Sequence, residues 1–217
     1  MGSSFVSIKT TKFLYIAFVV ALFVSCTQPP IKVACIGDSI TAGAGLENQS
    51  KTAYPTQLDS ILGKDYSVLN CGRSAATLQK TGNLPYWNCK EFHNVFTYQP
   101  DIIIIKLGTN DSKPKNWNEE NFEKDYQALI DTLLTIQNKP EIFVCLPVPA
   151  YRTVWGINDS TLTAGVIPVI KRIAKTNHLQ IIDLYQAMGN QPENFPDGIH
   201  PNEKGAKKMA IIIAGEM

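Results

Sequence analysis

From residue 31 onward the chain alternates short apolar runs with longer amphipathic stretches. Ile31, Val33, Ala34, Cys35 and Ile36 form the brief, nearly continuous apolar run of a strand buried on both faces. Tyr66–Leu69, Asp101–Leu107, Glu141–Leu146 and Leu179–Leu184 read as further strands, with Asp101–Leu107 the strongest pattern. Helical spacing lies between them. Tyr54–Gly63 sets Leu58, Ile61 and Leu62 on one side and closes on a glycine. Pro85–Gln99 reads as one helix, broken before Pro100. Asn118–Asn138 carries a stripe of Phe122, Tyr126, Leu129, Ile130, Leu133 and Leu134. Thr161–Asn177 turns Ile167, Ile170, Ile173 and Ala174 inward, and a closing helix begins at Glu203. Thr77–Asn83, Pro147–Ser160 and Phe195–Asn202 read as loops.

Strands that alternate with helices predict an α/β fold with a five-stranded parallel sheet covered on both faces. Right-handed crossovers then gather the strand-end loops on one rim. Loops far apart in sequence therefore converge.

The 217 residues suit one domain with a sizeable core. A net charge of +1, with no basic stripe among aromatics, gives a nucleic-acid partner no support. The N-terminal residues differ from the rest. Lys9 and Lys12 precede Phe13–Val24, an apolar stretch too short for a comfortable membrane span and suited to a secretory signal. Phe23-Val24-Ser25-Cys26 follows and resembles the lipobox of bacterial lipoproteins, with Phe23 in place of the more usual leucine. That resemblance implies a signal peptide over residues 1–25, lipidation of Cys26, a short tether over 26–30, and a domain over 31–217 anchored by lipid at the bacterial cell envelope. An ordinary signal peptide or an uncleaved anchor is the alternative.

The remaining cysteines are Cys35, Cys71, Cys89 and Cys145. Cys35 and Cys145 lie in strand-like runs and read as small buried hydrophobes. Cys71 and Cys89 are open to pairing in an oxidising compartment. No metal-ligand spacing such as CxxC occurs, so no structural zinc or other metal site is expected.

Ser39 follows Gly37 and Asp38 at the end of the first strand, where ligands bind in open α/β sheets. A serine there is either a helix N-cap or a nucleophile, and a nucleophile needs a base and oxyanion donors. Of the three histidines, His93 and His178 sit in or beside predicted helices and read as structural. His200 stands in the last loop, three residues after Asp197, and Gly198 permits the turn that brings the carboxylate back onto the ring. Gly72, through its backbone N–H, and Asn110, through its amide, are candidate oxyanion donors beside the N–H of Ser39.

Gly37-Asp38-Ser39, Asn70-x-Gly72, Gly108-x-Asn110-Asp111 and Asp197-x-x-His200 occur in that order, and the chain resembles the SGNH (GDSL) hydrolases. The resemblance spans Ile31 to the end. It implies a flavodoxin-like three-layer α/β/α sandwich, a triad of Ser39, His200 and Asp197, an oxyanion hole of Ser39, Gly72 and Asn110, and acyl transfer without a cofactor.

Leu84–Trp87 and Lys106–Trp117 look like the subgroup described as sialate or carbohydrate O-acetylesterases. The expected partner is thus a small-molecule or glycan ester, with a short acyl group favoured because no long apolar insertion forms a lid. Trp87, Trp117, Tyr151 and Trp155 are candidates for stacking on a sugar, with Arg152 or Lys113 near a carboxylate; the alternative is that the aromatics only pack their loops. Lys106, at the end of a buried strand, reads as one half of an ion pair or as a snorkelling side chain. Two other functions stay open: a lysophospholipase or thioesterase, and a catalytically silent glycan-binding lipoprotein.

Overall fold

The computed structural model describes residues 1–3 and 28–217. Residues 4–25 of the expected signal peptide and Cys26 lie outside the described residues, as does the start of the tether.

Five strands form one parallel sheet: β1 (Ile31–Gly37), β2 (Tyr66–Gly72), β3 (Ile102–Lys106), β4 (Glu141–Cys145) and β5 (Gln180–Ile182), in the order β2-β1-β3-β4-β5. This is the expected three-layer sandwich. Nine α-helical segments are described: α1 (Ser39–Ala42), α2 (Gln49–Thr52), α3 (Tyr54–Leu62), α4 (Lys90–Tyr98), α5 (Glu119–Leu133), α6 (Asp159–Thr161), α7 (Ile167–Asn177), α8 (Leu184–Met188) and α9 (Glu203–Gly215).

The strands are apolar on both sides because both sides are covered. Ala34, Ile36, Ile103 and Ile105 pack with residues of α4, α5 and α7, while Val33, Cys35 and Ile104 pack with residues of α3, α8 and α9. Alternate residues of one strand thus serve opposite cores, as a period of two requires.

Some boundaries moved. The stretch expected as one helix over Pro85–Gln99 is a 3₁₀ turn, Tyr86–Asn88, and then α4, with Cys89 extended between them. β2 runs on to Gly72 because it pairs along its whole length with β1. The helix leading into α7 widens to a π turn over Leu162–Val166, next to Pro168, whose missing N–H breaks the regular ladder. The four cysteines of the described domain are free and buried, so Cys71 and Cys89 are not paired.

The chain reverses its direction across the sheet between β1 and β3, which opens a crevice at their carboxyl ends. Gly37 is in register with both Gly72 and Lys106, so three loops leave the sheet at one level.

Candidate active site

Those three loops, the loop after β4 and a fifth near the end of the chain enclose a cleft of about 260 Å³, lined by Ser39, Ala44, Ser74, Ala75, Asn110, Lys113, Trp155, Ile157 and His200. Ser39 is the first residue of α1. Asp38 caps that helix by accepting the N–H of Ile40 at 2.9 Å. The cap belongs to Asp38, so the Ser39 hydroxyl is left for other partners. Its Oγ lies 2.8 Å from His200 Nε2.

His200 is oriented from behind by Asp197, whose Oδ2 lies 2.7 Å from Nδ1. The other oxygen, Oδ1, accepts the backbone N–H groups of Ile199 at 2.8 Å and His200 at 2.7 Å. Gly198, at φ +85°, makes this tight loop possible, and its carbonyl accepts the Tyr151 N–H to tie the loop to its neighbour. Burial opposes the charge on Asp197, but the hydrogen bonds from His200 and Ile199 outweigh it and hold the carboxyl below its usual range. A charged Asp197 suits an imidazole that must take up a proton.

Asn110 is buried and gives one amide hydrogen to the Ala76 carbonyl at 3.1 Å, which fixes the side chain at the cleft. Its carbonyl is held in turn by Asn116 Nδ2 at 2.9 Å. The adjoining Asp111 accepts the N–H groups of Leu78 at 3.0 Å and Gln79 at 2.9 Å, so it pins the loop after β2. Burial pushes the Asp111 carboxyl up to about 6 despite those hydrogen bonds.

Gly72 requires a correction. Its N–H is donated to Asn70 Oδ1 at 2.9 Å and is not free for an oxyanion. The residue is glycine because α1 presses on it: a Cβ there would lie 2.2 Å from Ala42 N. Ala75, three residues on, lines the cleft instead. It sits at φ +66° inside a turn closed by the Ala76 N–H on the Arg73 carbonyl, a position usually given to glycine. Among the described residues no acceptor meets the Ala75 N–H. A backbone donor has no side-chain signature, which is why the sequence pointed elsewhere.

The candidates for sugar contact also separate. Trp155 lines the cleft, is 61% exposed and has its ring centroid 5.5 Å from that of His200. Val154–Ile157 is a tight turn with positive φ at both Trp155 and Gly156, so the ring is presented at a cost in backbone strain. Trp87, Trp117, Tyr151 and Arg152 do not line the cleft. Trp87 donates to the Leu78 carbonyl and packs on Phe92. Trp117 packs on Phe122 and fills the space over Gly165. Tyr151 packs on Phe195 and donates to the Met188 carbonyl. Arg152 is exposed, with its stem against Gly198. The three aromatic rings among them hold loops in place. His93 and His178 are exposed and remote from the cleft, with His178 capping α7.

Residues 35–208 match the GDSL-like lipase/acylhydrolase family. The chain belongs to that family. Among curated proteins it is 44% identical over 206 residues to an acetylxylan esterase of Xylanibacter ruminicola, covering 86% of this chain and 43% of that protein. It is 28% identical over 118 residues to a multidomain esterase of Ruminococcus flavefaciens, covering 52% of this chain and 15% of the relative. The chain therefore spans less than half the length of either relative. Among solved structures, the M. smegmatis aryl esterase superposes with a TM-score of 0.71 at 22% identity, over 85% of this chain and 97% of that one. A two-domain esterase active on acetylated mannans superposes with a TM-score of 0.66 at 21% identity, over 86% of this chain and 48% of that one.

Proposed function

We propose that this protein is a serine esterase that removes acetyl groups from a carbohydrate. The observation that carries the reading is the chain of short contacts from Ser39 Oγ through the His200 ring to Asp197, at 2.8 and 2.7 Å. The length and order of those contacts match a nucleophile, its base and the orienter of that base.

In this mechanism His200 takes the Ser39 proton as Oγ attacks the ester carbonyl. The new oxyanion is held by the N–H groups of Ser39 and Ala75 and by the second amide hydrogen of Asn110. The tetrahedral intermediate collapses, His200 gives its proton to the departing sugar oxygen, and the acetyl group stays on Ser39. Water, deprotonated by His200, then attacks the acetyl-enzyme; acetate departs as His200 returns the proton to Ser39 Oγ.

Two further observations support the acetyl and sugar parts of the reading. The cleft of about 260 Å³ is walled by Ala44, Ala75 and Ile157, a volume that suits a short acyl group better than a long chain. Trp155 stands exposed over His200, where an apolar sugar face can stack. The relatives named for acetylxylan and acetylated mannans point the same way.

The test is release of acid by the full chain from aryl acetate, aryl octanoate, acetylated xylan and O-acetylated sialic acid, with Ser39→Ala as control. Faster release of acetate from a glycan than of octanoate from the aryl ester is the expected outcome. A win for octanoate would replace this reading with a lipid acylhydrolase. We propose in addition that a lipid on Cys26 holds the enzyme at the envelope, which rests on the Phe13–Cys26 pattern.

A further inference from the structure

The cleft contains a lysine that acetyl transfer leaves unused. Lys113 lines it together with Ser39 and His200, yet the residue is only 9% exposed. Its main chain is fixed, since the Lys113 carbonyl accepts N–H groups from Asn116 at 2.8 Å and Trp117 at 2.9 Å. Its stem lies under the Trp155–Gly156 turn, where a Cβ on Gly156 would come 3.6 Å from Lys113 Cγ. The side chain is thus held at the cleft and not splayed into solvent.

Among the described residues its ammonium has no hydrogen-bond or ion-pair partner in the protein, and it keeps contact with solvent at the cleft. The carboxylates whose charge acts on it, Asp38 and Asp111, are both engaged: Asp38 with Lys106, and Asp111 with the N–H groups of Leu78 and Gln79. Lys106 shows how this chain treats a buried ammonium when its role is structural, with two carboxylate oxygens at 3.2 Å and a hydroxyl at 3.0 Å. A partly desolvated cation without such partners is held only by water, and an anion in the cleft can take that place. A neutral sugar brings only hydroxyl groups. A carboxylate brings a charge-assisted hydrogen bond.

We propose that Lys113 reads a carboxylate on the alcohol half of the ester, so that the preferred substrate is an acetylated acidic sugar and not a neutral one. The proposal rests on the esterase reading and names its substrate class. Two sources supply the chemistry, a uronate branch on an acetylated glycan or the acid group of a sialate. The shared feature is a carboxylate within reach of an acetyl ester held at Ser39.

The experiment measures kcat/KM of the full chain on four acetyl esters: aryl acetate, a neutral acetylated xylo-oligosaccharide, its glucuronate-substituted counterpart, and O-acetylated sialic acid. At least one acidic sugar should exceed the neutral oligosaccharide by about tenfold, mainly through KM, and added salt should erode the gap. Converting the sugar carboxylate to its methyl ester should abolish the preference, a readout that needs no variant. Lys113→Met should bring the acidic-to-neutral ratio close to one, and Lys113→Arg should keep it well above one. The acidic sugar that wins identifies the source. Equal kcat/KM on acidic and neutral sugars, or a preference that survives methyl esterification, would overturn the proposal while leaving the esterase standing. Failure to hydrolyse any of the four would overturn both.

Discussion

Lys106 Nζ lies 3.2 Å from both carboxylate oxygens of Asp38, and the two side chains are almost wholly removed from solvent. The same ammonium donates to Thr109 Oγ1 at 3.0 Å. Asp38 caps the helix that begins with Ser39, and Thr109 precedes Asn110, so one cation ties the turn that carries Ser39 to the loop that carries Asn110. Removing one partner leaves the other charge buried and alone. Lys106→Met should cost about 3–5 kcal/mol in urea unfolding, and the Asp38→Asn, Lys106→Met double variant should cost less than the sum of the single changes. Additive losses would mean that the pair is not coupled. In the variants that fold, kcat should fall more than KM rises, because Ser39 and Asn110 lose their register.

Gly72 and Ala75 should respond to substitution in opposite ways. Gly72→Ala places a methyl group against the Ala42 backbone at 2.2 Å and should sharply lower the melting temperature. Ala75→Gly relieves a left-handed residue at φ +66°, and the gain offsets the added chain entropy, so stability should hold or rise by about 1 kcal/mol. Thermal melting of both variants decides the matter; a destabilised Ala75→Gly and a neutral Gly72→Ala would reverse the assignment.

Asn110→Ala should lower kcat about a hundred- to thousandfold with little change in KM. Steady-state kinetics on aryl acetate read this directly. An unchanged kcat would remove Asn110 from the oxyanion hole.

The Asp111 carboxyl titrates at about 6 in the folded chain against 3.8 as its ordinary value. A raised acid favours the folded state in its protonated form. Its contribution is complete below pH 4 and disappears as pH rises through about 6, by roughly 3 kcal/mol. Measured by urea unfolding, wild type should lose stability relative to Asp111→Asn across that window, and the difference should be flat above it. A difference independent of pH would show that the burial does not act on the charge.

Cys26→Ala should release the protein from membranes into the soluble fraction. Membrane retention equal to wild type would end the lipid-anchor proposal.

The strands and the loops they feed were legible because an apolar run buried on both faces leaves a plain mark, and five such runs between helices leave little choice of architecture. Ser39, Asn110, Asp197 and His200 were legible for a different reason: in the proposed mechanism each acts through a side chain whose chemistry is visible in the sequence. Ala75 was not, since its contribution is a backbone N–H and a sign of φ, and nothing in Arg73-Ser74-Ala75-Ala76 marks the left-handed residue. Trp87, Trp117 and Tyr151 are drawn into packing by Phe92, Phe122 and Phe195, and only Trp155, on a strained turn, remains at the cleft. Lys106 was read correctly as one half of an ion pair, but its partner required the register of β1 with β3.

The central claim is that an acyl group passes through Ser39. Mass spectrometry of the full chain after reaction with an aryl phosphonate ester tests it most directly, because such a reagent captures an activated serine without turning over. The account predicts one adduct per chain, on the peptide containing Ser39, and its loss in Ser39→Ala and near-loss in His200→Ala. An adduct on another residue, or labelling of Ser39 that persists unchanged without His200, would contradict it.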